Sequence, residues 1–330
     1  MGLLNALPGA VAQGIIWGIM AIGVYITFRI LDFADLTVDG SVCTGAAVCA
    51  VLVTSGWNVY AAMLVSFAVG MLAGLLTGVF HTFMGIPAIL SGILTQLILW
   101  SVNLKIMGKS NIGLSARTFN VLVTQLKTNA TLIVLAIASI LLIAALYWFF
   151  GTEYGMAIRA TGCNSAMSKA EGINTKRTTI IALVLSNGMV GLAGALLAQY
   201  QGFADVNMGR GAIVIGLAAV IIGMVLGEVI LRKHFNFIGK LAFTALGAII
   251  YFVVLRIVLL LGLSTDNTKM FSALIVAIFL AVPYLQKTSK TSFRRAAKRS
   301  AGAAASAAAA ESEHFGQVMQ NSVTGKKEDK

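Results

Sequence analysis

Three carboxylates fall within eight residues, Asp32, Asp35 and Asp39, just after Arg29 at the end of an apolar stretch. Acidic side chains so placed are groups that could couple protons or cations to transport. A structural role with Arg29 as partner accounts for the same residues, and we favour it because the charges are expected near the inner end of the stretch. The three histidines, His81, His234 and His314, are far apart, and no His/Asp/Glu group has the spacing of a metal site. Cys43, Cys49 and Cys163 are odd in number and scattered, which gives neither a disulfide framework nor a metal pattern. No G-x-x-x-x-G-K-[ST] phosphate loop is present, so the chain has no ATP-binding motif of that kind, and it is not expected to be an enzyme. What remains are polar side chains inside apolar stretches: Thr95, Gln96 and Trp100, then Ser186, Asn187 and Gln199, then Arg256. Such residues are costly in lipid and turn toward protein or a water-filled path. Bundle packing explains the first two groups, and snorkelling of the guanidinium to an interface explains Arg256. Gln96, Trp100, Asn187, Gln199 and Arg256 are also the candidates for a translocation path.

The elements that must carry these residues are apolar. Of 330 residues, 58% are hydrophobic and 11% charged, against about 25% charged in a soluble domain. That little charge cannot cover a soluble globule. The net charge of +12 therefore reads as the inside-positive bias of a membrane protein rather than as nucleic-acid binding. About 20 apolar residues of helix cross a hydrocarbon core of about 30 Å. Nine stretches qualify: 11–28, 41–56, 59–80, 86–104, 131–150, 179–200, 211–228, 241–262 and 270–286. The expected fold is an all-α polytopic membrane protein with about nine transmembrane helices, eight to ten allowed. The stretches 41–56 and 86–104 are short and rich in small residues, as broken or re-entrant helices are.

Basic residues orient the bundle. The tail carries Lys287, Lys290, Arg294, Arg295, Lys298 and Arg299, which sets the C-terminus in the cytoplasm. Counting spans backwards brings Arg232, Lys233 and Lys240, then Arg159, Lys169, Lys176 and Arg177, then Arg29, to the same side. The N-terminus, with no Lys or Arg before Arg29, falls outside, and no signal peptide is expected. The segment 105–130 also falls outside, although it holds Lys105, Lys109, Arg117 and Lys127 and no acid. Small residues at four-residue spacing let helix backbones approach closely in lipid. Gly70, Gly74 and Gly78 form one such ridge, and Asn187, Gly191, Ala195 and Ala198 form a small or polar stripe on another stretch.

Between two of these spans lies a loop of about 28 residues, 151–178, neither apolar nor low in complexity. Its middle, Gly162 to Gly172, reads as a short polar helix, capped by Asn164 or Ser165 and ended by Gly172. The run Gly155, Arg159, Ala160, Gly162, Asn164, Ala170, Gly172, Ile173 resembles the coupling loop of bacterial ATP-binding-cassette (ABC) importer permeases, in the branched-chain amino-acid and ribose-type permease family. Leu185 to Gln199 is similar to that family's glycine-rich helix, and Gly211 to Gly223 to its Ala–Ala–Val–x–x–Gly segment. Asp35 to Ser41 resembles its Asp-Leu-Ser-Val-Gly-Ser element with one extra residue. The likeness covers most of 10–286, and within the family it is nearest to permeases of poorly characterised tripartite systems, some assigned to tryptophan or tyrosine.

The resemblance implies a permease domain, 1–286, that moves a small solute inward by alternating access. An amino acid is favoured over a sugar or nucleoside. It implies ATP and Mg on a separate ATPase, an extracytoplasmic substrate-binding protein or lipoprotein, a second permease chain forming a homodimer, and residence in the bacterial cell membrane. No nucleic acid and no cofactor are expected on this chain. Arg159, Gly162, Asn164, Lys169, Glu171 and Gly172 become the candidates for contact with the ATPase. The rival class is an ion-coupled secondary transporter using the three aspartates. The tail, 287–330, basic and then alanine-rich, lies outside the resemblance and reads as a partly helical, partly disordered cytoplasmic extension.

Overall fold

The computed structural model describes residues 2–231 and 236–260, with a few isolated positions between 270 and 281. The chain divides into Met1–Phe279 and Leu280–Lys330. The stretch 270–286, Arg232, Lys233 and the tail from 287 lie outside the continuously described residues. Ten helices and two three-residue strands make up the described part: α1 Gly2–Tyr25, α2 Val38–Thr54, α3 Val59–Thr82, α4 Ala88–Met107, β1 Asn111–Gly113, α5 Thr128–Gly151, α6 Glu153–Cys163, α7 Ser165–Ala170, α8 Thr175–Gln201, β2 Phe203–Asp205, α9 Ala212–Leu231 and α10 Phe237–Leu260. Seven of these helices are long and apolar enough to cross a membrane, and α2 is a shorter apolar helix. Together they account for the first eight of the nine apolar stretches.

At one end of the bundle lie α6 and α7, with Gly162 packed against Ile30 and Leu31 at the foot of α1. At the other end β1 and β2 pair antiparallel, Ile112 opposite Ala204. That pairing ties the segment before α5 to the exit of α8. The basic stretch 105–130 therefore lies at the end opposite to 152–174, where the counting of spans put it in spite of its four basic residues.

Helix α8 is the axis of the fold. From Ser186 to Tyr200 every residue but Leu192 is buried or nearly so. Helix α3 runs antiparallel to it. A Cβ on Gly70 would strike the Asn187 carbonyl, one on Gly74 the Leu183 carbonyl, and one on Gly78 would sit 3.0 Å from Ile180 Cγ1. Gly191 faces Ser66 and Gly70 from the other side. The glycine ridge and the small-residue stripe thus meet, and the two backbones touch because α3 carries no side chain there. In contrast, α5 is apolar all round, with Ile133, Ile137, Ile140, Leu141 and Trp148 exposed. A helix apolar on every side belongs in lipid or against another chain.

Two helices begin inside the bundle instead of at its ends. After a π-helical turn, Ile26–Ile30, residues 31–35 form an irregular connection to α2. Leu31, Phe33 and Asp35 are buried and alternate with exposed Asp32 and Ala34. Asp32 takes a left-handed φ of 57°, a conformation that Asp tolerates better than most residues. This segment carries Asp35 up to Asn187, twelve residues into α8, or about 18 Å along its axis at 1.5 Å per residue. Asp35 and Asp39 are therefore not at the inner end where the sequence reading put them. The irregular segment after the π-helical turn folds back into the core and carries them with it. From there α2 runs parallel to α8 toward the strand end. On the other side, residues 206–211 turn back from β2 into the bundle, and α9 starts beside Asp39.

Candidate functional site

The first polar assembly is a hydrogen-bonded chain that ties α2 to α3, α4 and α8. Asn187 donates to Asp35 Oδ2 at 2.7 Å and to the Leu183 carbonyl at 3.1 Å, and its Oδ1 accepts from Ser41 at 2.6 Å. Asp35 Oδ1 accepts the Thr37 amide at 2.9 Å. Thr37, Thr77 and Thr95 continue the line by hydroxyl contacts of 2.6 and 2.9 Å. Every member is fully or almost fully buried. The Asp35 carboxyl is met by neutral donors and not by Arg29, which lies at the α6 end beside Arg159 and Lys240. Asn187, a path candidate by sequence, is thus occupied in holding the entry to α2. A satisfied buried network of this kind rigidifies what it joins.

The second assembly surrounds a cavity of about 260 Å³ between α2, α4 and the turn before α9. Its walls include Asp39, Cys43, Gln96, Trp100, Asn103 and Arg210. Gln96, Trp100 and Asn103 recur at three- and four-residue spacing, so they share one face of α4. Asp39 lies in the first turn of α2 and caps α9, its oxygens accepting the amides of Gly211 and Ile213 at 2.9 Å each. The Gly209 amide donates to Cys43 Sγ at 3.1 Å. The backbone is therefore pinned on both sides of Arg210, whose own side chain is exposed. Asn103 is 1% exposed, and neither polar atom of its amide has a partner.

Of the five path candidates, Gln96 and Trp100 line this cavity and the other three lie elsewhere. Gln199 accepts the Leu122 amide at 3.0 Å and reaches Cys49 Sγ at 3.5 Å, pinning the segment before α5. Arg256 is exposed near the far end of α10. Cys43, Asn103 and Arg210 were not singled out by sequence. The usable signal was Asn103, a third polar residue in helical register with Gln96 and Trp100. Nothing local pointed to Arg210, which comes to the cavity only because the chain folds back after β2.

At the opposite end the residues of the 151–178 loop form two helices where one was expected. Helix α6 continues almost directly from α5, with Thr152 as its N-cap. Asn164 separates α6 from α7 and caps the latter, its Oδ1 accepting the amides of Ala166 and Met167 at 3.1 Å each. Gly172 follows with φ +85°, a left-handed turn that glycine adopts without strain. Thr161 and Thr178 join α6 to the start of α8 by a 2.9 Å hydroxyl contact. Lys169, Glu171 and Met167, the last 60% exposed, face outward. Arg159 instead lies over the rings of Phe237 and Phe150, 4.1 and 5.6 Å from their centroids, as a guanidinium stacked on aromatic faces.

Residues 7–283 match the family model described as the branched-chain amino acid transport system permease component. A tyrosine transport system permease protein of Clostridioides difficile is 38% identical over 290 residues, covering 87% of this chain and 94% of its own length. An uncharacterized protein of Rickettsia prowazekii is 31% identical over 280 residues, covering 84% and 98%. An autoinducer 2 import system permease protein of Yersinia pseudotuberculosis is 32% identical over 197 residues, covering 56% and 54%. No solved structure matches the chain. With a bundle of membrane-crossing helices and a family match over most of its length, this multi-pass inner-membrane protein is a permease component of a small-solute import system and belongs to the branched-chain amino acid transport permease family.

Proposed function

We propose that the chain is the membrane subunit of an ABC importer that takes an amino acid from an extracytoplasmic binding protein and passes it inward, driven by a partner ATPase. The observation that carries this reading is the mounting of α7. The helix is exposed along Ser165–Met167 and at Lys169 and Ala170, yet its neighbour α6 is locked to α1 by Gly162 and to α8 by Thr161. A partner gripping α7 would move the feet of two bundle helices as one body. Lys169, Glu171 and Asn164 supply charge and hydrogen bonds at such an interface, and Met167 supplies its apolar contact. Arg159 acts behind it, bracing α6 against α10 through Phe237. ATP and Mg belong on the partner. The α6–α7 end is then cytoplasmic, and the strand end faces the binding protein. An amino acid is the preferred solute, since a relative covered over 94% of its length is a tyrosine transport system permease protein.

The test is uptake by proteoliposomes that hold the permease, its ATPase and its binding protein. ATP-dependent accumulation should persist when ionophores collapse the ion gradients and stop when ATP is withdrawn. Met167→Glu together with Lys169→Glu should reduce co-purification of the ATPase at least tenfold. Uptake driven by an ion gradient without ATP would overturn the reading in favour of a secondary transporter.

A further inference from the structure

We infer that the cavity between α2, α4 and the turn before α9 is a zwitterion-binding site, in which the permease itself recognises both charged ends of an amino acid. The inference rests on the importer reading above and deepens it by assigning solute recognition to named residues. Three features of the cavity support it.

The first is a pair of opposite charges in one cavity wall. Asp39 and Arg210 both line the cavity, and among the described residues no ion pair of 4 Å or less joins them. Each is delivered by an independent device. Asp39 is fixed by the α9 amides. Arg210 is presented by a backbone held at Gly209 and Gly211 on either side. A separated carboxylate and guanidinium in a partly desolvated cleft favour a ligand carrying the complementary pair. The guanidinium suits a carboxylate through its paired N–H donors.

The second is the Asn103 amide. It is almost fully buried, belongs to the cavity lining, and among the described residues neither its nitrogen nor its oxygen has a partner. Leaving such a group unpaired is unfavourable, so a small side-chain shift that brought it to a polar group of the solute would relieve that cost.

The third is size and surface. At about 260 Å³ the cavity lies just under the usual range for drug-sized ligands, about 300–1,000 Å³, which fits a solute of one amino acid. Trp100, 45% exposed, gives it an aromatic wall against which an apolar or aromatic side chain packs. A neutral sugar would offer no opposite charge to either group.

The experiment uses the permease–ATPase complex in nanodiscs without the binding protein. It measures binding of labelled L-tyrosine and competition by tyramine, 3-(4-hydroxyphenyl)propionate and D-ribose. The first analogue lacks the carboxylate and the second lacks the ammonium. L-Tyrosine should bind at least tenfold more tightly than either analogue, and ribose should not compete. Arg210→Gln should weaken tyrosine at least tenfold and leave tyramine unchanged, so that the two converge. Asp39→Asn should make tyrosine and the deaminated acid converge instead. Because Asp39 also caps α9, Arg210→Gln is the deciding variant, its side chain being exposed. Absence of tyrosine binding, equal binding of either analogue, or an Arg210→Gln protein that still discriminates against tyramine would each overturn the assignment. The importer reading is judged separately, by ATP-driven uptake through the complete system. Uptake that persists while the binding pattern fails removes the site and leaves the function.

Discussion

Asn187 spends both of its amide hydrogens and its carbonyl oxygen on Asp35, Leu183 and Ser41, at a depth where no water can replace them. Asn187→Ala therefore strands a buried carboxyl and a buried hydroxyl together. We expect a loss of about 2–3 kcal/mol, the cost of leaving such groups unpaired, read as a lower melting temperature of the purified protein in detergent. Ser41→Ala removes one donor and leaves the Asp35 contact in place, so it should cost about 1 kcal/mol. The two residues are 146 positions apart. Their polarity was visible in the sequence, but their pairing was not, because period and composition report the face of one helix and never its partner on another. Gln199 was read as a path residue for the same reason, and the structure shows it holding Leu122.

Among the elements, the α3–α8 contact is set by the absence of side chains. Gly74→Leu would drive a side chain into the Leu183 backbone. Overpacking of this kind costs about 1–3 kcal/mol, and here the obstacle is backbone that cannot step aside, so the upper end is expected, read as reduced yield of folded protein. Gly151→Ala, at the end of α5 with nothing within 4 Å of its Cβ position, should leave the melting temperature unchanged or slightly raised. Helix α7 depends on its cap more than on its length, having only six residues. Asn164→Ala should remove about 1 kcal/mol from it and weaken ATPase association, whereas Asn164→Asp, which can still accept both amides, should restore it. The cap and the terminal glycine were legible because capping is a local rule. Helix α6 was not, since a polar helix flush against an apolar one looks like a continuous loop when only hydropathy is followed.

For the whole molecule, the uneven burial of aromatic residues gives a direct measure of which surfaces meet lipid. Trp148 on α5 is 74% exposed and Trp17 on α1 is 7% exposed. In single-tryptophan variants reconstituted into brominated phospholipid, Trp148 fluorescence should be quenched at least several-fold more than that of Trp17. Equal quenching would contradict the packing of α1 in the core. The amino-acid sequence by itself determined that this chain lives in a membrane, where its apolar helices fall and which loops share a side. Those are consequences of hydropathy, length and charge, and each acts locally along the chain. Only the tertiary structure decided that α2 and α9 both begin inside the bundle, that Asp39 caps a helix 172 residues away, and that Arg210, Trp100 and Asn103 line one cavity. The physical reason is that a re-entrant segment needs every backbone and side-chain polar group satisfied by distant partners, and such partners are chosen by packing in three dimensions rather than by neighbours in sequence.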